Sequence, residues 1–425
     1  MSTLGLVSFL LRRLAIYDIE VFMLKGRQIV LGVTGGIAAY KAAEFVRVLT
    51  KEGANVHVVM TRSAQAFVAP LTFQTLSGNP VVTETFALLE GEEIGHIALA
   101  DLAELIVILP ATGNIIGKIA NGIADDFLST MVMATKAPVL FAPSMNVNMW
   151  ENQALQKNIQ TLLARGHSII EPGEGELACH WYGKGRLSEL NEVVEKMEDL
   201  LSKKDLKGEK ILITAGPTQE PIDPVRFITN RSSGKMGYAL AKVAGRRGAE
   251  VILVTGPTSL PIPRRDTRIV SVRTAEEMRR AVLTHVKGCS VVIKTAAVSD
   301  YRPKVVNQKK MKKTEGDYLL ELERTRDILG ELGKRKGNRI LVGFAAETDN
   351  LIANAQKKLS EKNIDLVVAN DITKPGAGFG VDTNQVQILY PSGEMKDLPV
   401  MSKEELSGII LDGVLELLNQ KKTGK

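Results

Sequence analysis

Residues 211–237 read ILITAGPTQEPIDPVRFITNRSSGKMG, and they decide the fold because they open a strand–loop–helix unit in mid-chain. Ile211 to Ile213 is an apolar run suited to a buried strand. A loop rich in Gly, Pro, Thr and Ser follows, and from Met236 onward (MGYALAKVAGRRG) apolar residues recur at helical spacing. A loop at that hand-over presents backbone N–H groups at a helix N-terminus, where phosphate or carboxylate binds. Ser232, Ser233, Gly234 and Lys235 have a P-loop's composition without its GxxxxGK[ST] spacing.

Downstream the same grammar repeats through Val251 to Val254, Val291 to Ile293, Ile340 to Val342 and Leu366 to Val368. VQILYPSGEMKDLP predicts two strands turning at Pro391-Ser392-Gly393, and a last helix, Lys403 to Leu418, precedes a polar tail expected to be disordered. Upstream, IVLGV enters the turn Thr34-Gly35-Gly36, a helical pattern runs to Gly53, and Val56 to Met60 forms a second strand. This βαβ unit argues for a parallel sheet. Leu105 to Leu109 and Val139 to Phe141 are further strands, ending in the loops PATGN and APSMN, and ligands sit at such strand ends. Before the charged stretch KKDLKGEK, the segment RLSELNEVVEKMEDLL places Leu187, Leu190, Val194, Met197 and Leu201 on one helical stripe. The expected architecture is α/β: two Rossmann-like three-layer domains with mainly parallel sheets. An N-terminal extension covers 1–25, the first domain 26–201, a linker 202–209 and the second domain 210–425.

A chain of 425 residues exceeds what one core supports. Hydrophobic residues at 44% and charged residues at 24% are those of a folded globular protein. The net charge of +6 comes from scattered Lys and Arg, with one short run, KKMKK (Lys309 to Lys313). No aromatic-rich RNA module or helix-turn-helix accompanies it, so phosphorylated metabolites are expected as ligands and nucleic acid is not. Two cysteines, Cys179 and Cys289, make no disulfide framework, and no CxxC or HExxH spacing offers a metal site; a reducing cytoplasm is the expected setting. The apolar run Leu4 to Leu11 is too short for a membrane span and precedes Arg12-Arg13, against the order of a signal peptide. Met23 is the expected true start.

Three features in the first half carry chemistry. Thr34-Gly35-Gly36-Ile37 is placed as a phosphate cradle, or as an ordinary tight turn, and Ser63 adds a hydroxyl after the second strand. Gly95-His96-Ile97 precedes a helix; the chain has only four other histidines, and a lone histidine is otherwise a cap or surface residue. Pro143 to Trp150, PSMNVNMW, sets two amides among Met and Trp, where an amide can hold a desolvated carboxylate without titrating. With DDFLST (Asp125 to Thr130) and LAC (Leu177 to Cys179), these strings resemble the phosphopantothenoylcysteine decarboxylase flavoproteins over roughly Gly32 to Leu187, PxMNxxMW being the most specific piece.

That resemblance implies FMN lying against Gly35, Gly36, Ile37, Ser63, Thr112, Gly113, Asn114 and Ile115, with Ser144 near the ring. It implies that His96 assists oxidation of the cysteine moiety, that Asn146 binds its carboxylate, and that Cys179 protonates the ene-thiolate left by loss of CO2. Flavin is an electron sink that no side chain supplies. The alternative for Cys179 is a small buried hydrophobe. One departure stands out: the family usually continues the cysteine with Gly-Asp, and this chain has His180-Trp181.

In the second half, AGPTQEPIDPVRFITNRSSGKMG resembles the opening of the phosphopantothenate–cysteine ligases, and the likeness extends from about Lys210 to Leu415. It rests also on AAVSDYR (Ala296 to Arg302), KMKK (Lys310 to Lys313), RDIL (Arg326 to Leu329), GFAAET (Gly343 to Thr348), and Lys358 with Lys362. Alone, the lysine run reads as a solvated loop and Lys358/Lys362 as a wet helix face. The resemblance implies attack of 4′-phosphopantothenate on CTP to give an acyl-cytidylate, which L-cysteine converts to the amide. Asn230 is implied in the first step and Lys310 in the second. CTP is implied to contact Lys294, Thr295, Ala296, Asp300, Lys310, Arg326, Asp327, Ile328, Leu329, Phe344, Lys358 and Lys362. Mg2+ accompanies the triphosphate without a protein cage. Lys294 stands where a small residue is usual and Arg326 where Pro is usual.

The two resemblances together imply a bifunctional enzyme of coenzyme A biosynthesis. The alternative is a ligase fused to a catalytically inactive flavin-binding regulatory domain, which holds FMN without releasing CO2. An NAD(P) reductase is disfavoured by the lack of a clean GxGxxG with an acidic residue about 20 positions on. The families imply a homo-oligomer, trimers of one half and dimers of the other combining as a dodecamer.

Overall fold

Val30, Leu31 and Gly32, at the middle of the first strand, show why the first sheet is parallel and covered on both faces. The computed structural model describes residues 24–84, 95–176, 181–264, 266–312, 318–347, 349–371, 378 and 380–424, in two units, Met1–Ser202 and Lys203–Lys425. The first unit's sheet runs in the order Asn55–Met60, Gln28–Val33, Leu105–Ala111, Val139–Pro143, Ser168–Ile169, all parallel. Ile29, Leu31 and Val33 face the helices Ala39–Lys51 and Leu190–Leu201. Val30, Ile106 and Ile108 face the helices Gly113–Ala120 and Phe127–Ala134. Burial on both faces is why these strands read as unbroken apolar runs. The chain builds from Gln28–Val33 to one side, then crosses to Leu105–Ala111 on the other, so the strand order reverses between those two.

The second unit holds an eight-stranded sheet ordered Arg268–Ser271, Glu250–Thr255, Lys210–Ala215, Val291–Lys294, Ile340–Glu347, Leu366–Asp371, Val386–Leu389, Met395–Asp397. The first six are parallel; the closing pair, turning at Pro391-Ser392-Gly393, is antiparallel. Ile211 and Ile213 pack with Leu240, Ile410 and Val414, while Leu212 and Ile252 pack with Met278, Leu332 and Leu359. Here the order reverses between Lys210–Ala215 and Val291–Lys294.

Several expectations need correction. The last helix does not stop at Leu418 with a disordered tail; it runs Lys403–Lys422. Ser402 and Glu405 form a capping box at its start. At its end Lys421 Nζ donates to Arg339 O at 2.9 Å and Lys422 Nζ meets Glu209 at 2.7 Å, so its polar last turn is tied down by charge. The helix after Leu187 begins at Leu190; the stripe Leu187, Leu190, Val194, Met197 and Leu201 packs on the first core, and Val193 joins it fully buried. Within 202–209, Leu206 is fully buried in the second unit's core and Asp205 takes Arg247 with both oxygens, at 2.8 and 2.9 Å. Residues 1–23 of the expected extension lie outside the described residues; Leu24 is buried in the first core. Among the described residues no helix is long and apolar enough to cross a membrane.

Candidate active sites

At the first unit's reversal point, the turns after neighbouring strands are bonded together. Thr34 Oγ1 donates to Pro110 O at 2.6 Å and accepts from Thr112 N–H at 3.2 Å. A Cβ on Gly35 would stand 2.4 Å from Ser63 Cβ, so only glycine lets the Ser63 loop close on this turn; on Gly36 it would meet Thr112 Cγ2 at 3.5 Å. Thr112 caps the helix Gly113–Ala120, its Oγ1 accepting from Ile115 N–H at 3.4 Å. Gly35, Gly36, Ile37, Ser63 and Thr112 to Ile115 thus converge on one sheet edge. Ser144 joins them through its N–H to Ala111 O at 3.2 Å. Helix-terminal N–H groups and hydroxyls suit a phosphate; exposed Ile37 and Met149 at the same edge suit an apolar ring. The residues therefore fit a flavin mononucleotide.

His96 lies in the first turn of the helix Gly95–Leu102, edge-on to Phe127 with centroids 6.2 Å apart, and its Nδ1 is buried without a hydrogen-bond partner. Phe127 begins a helix whose capping box joins Asp126 and Ser129. Burial pushes the Asp126 carboxyl up, but the Ser129 N–H and the Lys118 ammonium at 3.0 Å outweigh it and hold the group below its ordinary range. The string DDFLST thus sets the ring against which His96 rests. Beside it is a cavity of about 250 Å³ lined by Thr61, Arg62, Glu84, Asp126 and Phe127, among others. Asn146 caps Val147–Glu151, its Oδ1 accepting from Asn148 N–H at 2.8 Å. The hairpin Gly173–Glu176/Tyr182–Arg186 packs on this loop: Met145 N–H donates to Gly185 O at 2.9 Å, and a Cβ on Gly185 would stand 2.2 Å from Met145 O. Residues 177–180, with Cys179 and His180, lie outside the described residues; Trp181 is exposed.

In the second unit a cavity of about 930 Å³ opens at the reversal point, at the upper end of the ~300–1,000 Å³ usual for small-molecule sites. It brings together Asn230, Lys294, Thr295, Ala296, Asp300, Arg326, Asp327, Ile328, Leu329, Phe344, Lys358 and Lys362. The N-terminus of the helix Lys235–Arg246 faces it, with Gly234 left-handed at φ 81°. Asn230 Nδ2 donates to Ala297 O at 3.1 Å, and Thr218 Oγ1 accepts from Ser299 N–H at 3.0 Å, so the loop after Lys210–Ala215 is laced to the loop after Val291–Lys294. Lys310 is not on the cavity lining; it is exposed on a loop outside it. Lys235 of the P-loop-like stretch also lines the cavity, as do Asn370, Asn384 and Lys403, which sequence reasoning missed. Lys235 Nζ reaches Asp382 at 2.7 Å and Gly380 O at 2.9 Å across 147 and 145 residues, and Lys403 Nζ reaches Gly378 O at 3.3 Å. No local spacing announces such contacts.

The cavity is strongly electropositive. Burial, then the neighbouring Lys358 ammonium, push the Lys294 ammonium down to about 8. Burial also lowers Lys358, whose Nζ donates to Phe344 O at 2.6 Å. Lys362 pairs with Asp327, the cap of Ile328–Lys334; burial raises that carboxyl, but the Gly330 N–H and Lys362 prevail and keep it ionised. Lysines and arginines on the lining outnumber Asp300, Asp327 and Glu347, which suits a polyanion.

The fold and the two sites define a flavin-site domain followed by a nucleotide-site domain in one chain. The family model "Flavoprotein" matches residues 20–202, and that of the "DNA/pantothenate metabolism flavoprotein C-terminal domain" matches 206–418. The Coenzyme A biosynthesis bifunctional protein CoaBC of Bacillus subtilis (strain 168) is 51% identical over 406 residues, 95% of this chain and 100% of that protein. That of Escherichia coli (strain K12) is 44% identical over 94% of this chain and 99% of its own length. A crystal structure of the C-terminal domain of a CoaBC protein is 48% identical, covers 51% of this chain and all of its own, and superposes with a TM-score of 0.45. The chain belongs to the family of coenzyme A biosynthesis bifunctional proteins.

Proposed function

We propose that this chain makes 4′-phosphopantetheine in two steps: its second unit joins cysteine to 4′-phosphopantothenate at the expense of CTP, and its first unit decarboxylates the product with FMN. The observation that carries the reading is the cavity in which Asn230, Lys294, Asp327, Lys358 and Lys362 meet at the second reversal point.

In the ligase unit, Lys358, Lys362 and Lys294 offset the triphosphate charge while Mg2+ accompanies it. The substrate carboxylate attacks the α-phosphorus with pyrophosphate leaving; Asn230 stabilises the acyl-cytidylate, and Lys310 serves attack of the cysteine amine on the acyl carbon with CMP leaving. Contacts from Thr295, Ala296, Asp300, Arg326, Ile328, Leu329 and Phe344 hold the nucleoside and phosphates. Lys362 must release Asp327 to reach phosphate, so the ion pair is a ready-made exchange partner.

In the decarboxylase unit, bound FMN would accept the two electrons that loss of the cysteinyl carboxylate requires and would return them as the ene-thiolate is reduced to the thiol. Gly35, Gly36, Ile37, Ser63, Thr112 to Ile115 and Ser144 hold it. His96 takes the substrate proton at its buried ring, Asn146 binds the carboxylate through its amide, and Cys179 returns a proton to the ene-thiolate. The same reading places the chain in the cytoplasm as a homo-oligomer, up to a dodecamer; a monomer by light scattering contradicts that part.

Mass spectrometry of one reaction containing protein, FMN, Mg2+, CTP, cysteine and 4′-phosphopantothenate tests the whole. Phosphopantetheine with CMP supports both steps. Phosphopantothenoylcysteine as end product retains the ligase and makes the first unit a flavin-binding regulatory domain, while absence of CMP rejects the ligase assignment.

A further inference from the structure

A buried carboxylate away from the cavity joins the two elements that carry Asn230 and Lys310. Asp223 is 3% exposed, between the hairpin strands Gln219–Pro221 and Phe227–Thr229. Its Oδ1 accepts from the Val225 and Arg226 N–H groups at 2.7 and 2.8 Å, which closes the hairpin turn. Its Oδ2 accepts from the Met311 N–H at 3.1 Å, the peptide directly after Lys310. The same junction is crossed by Asn307 N–H to Ile222 O at 2.9 Å and by Arg226 Nη2 to Met311 O at 3.3 Å. The hairpin's second strand runs straight into Asn230, whose amide reaches Ala297 O at 3.1 Å.

Oδ1 is thus taken up within the hairpin turn, whereas Oδ2 faces the lysine loop and also lies 3.7 Å from the Arg226 guanidinium. The loop needs such a grip, because Lys309, Lys310 and Lys312 are all exposed and repel one another. Hydrogen bonds to an ionised acceptor are the strong kind. We infer that Asp223 is a positioning residue for the ligase reaction: it clamps the loop of Lys310, which stands outside the cavity lining, to the hairpin that carries Asn230, and so fixes the point from which Lys310 reaches toward the acyl-nucleotide. The inference rests on the assignment of Lys310 to amide formation.

Asp223→Asn separates the hairpin contacts from the loop contact. Its amide oxygen can still take the Val225 and Arg226 N–H groups, while its NH2 faces the Met311 N–H, donor against donor. Met311→Pro removes the same bond from the other side and leaves the hairpin turn untouched. Each variant is made in the full chain. Single-turnover pyrophosphate release from CTP and 4′-phosphopantothenate without cysteine reads the first step, and amide formation on adding cysteine reads the second. For Asp223→Asn, the rate of tryptic cleavage after Lys310 reads the docking of the loop.

The expected result is pyrophosphate release within about twofold of the parent, amide formation slowed roughly tenfold or more, and for Asp223→Asn faster cleavage, the size expected for loss of one charge-assisted bond. Amide formation and cleavage at parental rates overturn the clamp. Equal loss in both steps with a lowered thermal midpoint also overturns it, since Asp223 is then only structural. Lys310→Gln separates the layers. If it forms amide at the parental rate, the Lys310 assignment fails and the inference with it; if it is slow while Asp223→Asn is not, the inference alone falls.

Discussion

Lys294 is an ammonium kept in a place that disfavours its charge, and this sets opposite demands on stability and binding. Burial pushes its pKa down to about 8 in the folded chain, against an ordinary 10.5 in the unfolded one. Between those values the unfolded state holds more protons, so stability rises with pH there, and at pH 7 the charged group is a burden. Lys294→Met is therefore expected to raise the thermal midpoint at pH 7, with an advantage that shrinks from pH 8 to 10.5. The same variant should weaken CTP binding and lose the fall in kcat/KM for CTP expected of the parent as pH passes about 8. An unchanged pH profile argues that Lys294 does not meet the triphosphate. At Gly35 the demand is steric: Gly35→Ala puts a methyl 2.4 Å from Ser63 Cβ and should yield protein that has lost its flavin absorbance. Full FMN occupancy in that variant removes the Ser63 loop from the cradle.

At the level of elements, the helix Lys235–Arg246 lies close on the sheet because Gly237 has no side chain. A Cβ there would stand 2.6 Å from both Ala215 Cβ and Thr295 Oγ1, so Gly237→Ala is expected to cost about 1–3 kcal/mol, as overpacking does, measured as a lower urea midpoint. No loss means the helix can lift without penalty. Asp126→Ala removes a cap and one of the two carboxylates that pair with Lys118, Asp125 remaining at 2.7 Å; an expected loss of ~0.5–2 kcal/mol should be accompanied by slower decarboxylation, since Phe127 sets the surface under His96. The parallel strands were legible because burial on both faces leaves an apolar run of strand length. The end of the last helix was not: LNQKK is polar, and its order comes from Arg339 and Glu209, partners that local composition cannot reveal. Leu206 escaped notice for the same reason, one leucine among charges.

For the whole molecule, each unit carries a core on both faces of its own sheet. Calorimetry of the full chain is expected to resolve separate transitions, FMN raising one and CTP the other. At a ligand concentration of 100 Kd the linkage gain is about 2.7 kcal/mol. A single transition raised by either ligand rejects independent unfolding. Sequence alone determined the two main sheets, their mainly parallel sense, and the strand ends at which ligands would sit, because those follow from periodicity and chain order. It also pointed to residues that the structure brings together at those strand ends, Gly35 and Ser63 in the first unit and Lys294 and Lys358 in the second. Only the tertiary structure decided that Lys403 joins the second cavity, that Lys310 stands outside its lining, and that the Lys294 ammonium is weakened to about 8. Those depend on distances between residues far apart in the chain and on how much water remains around a charge, and neither is written in local spacing.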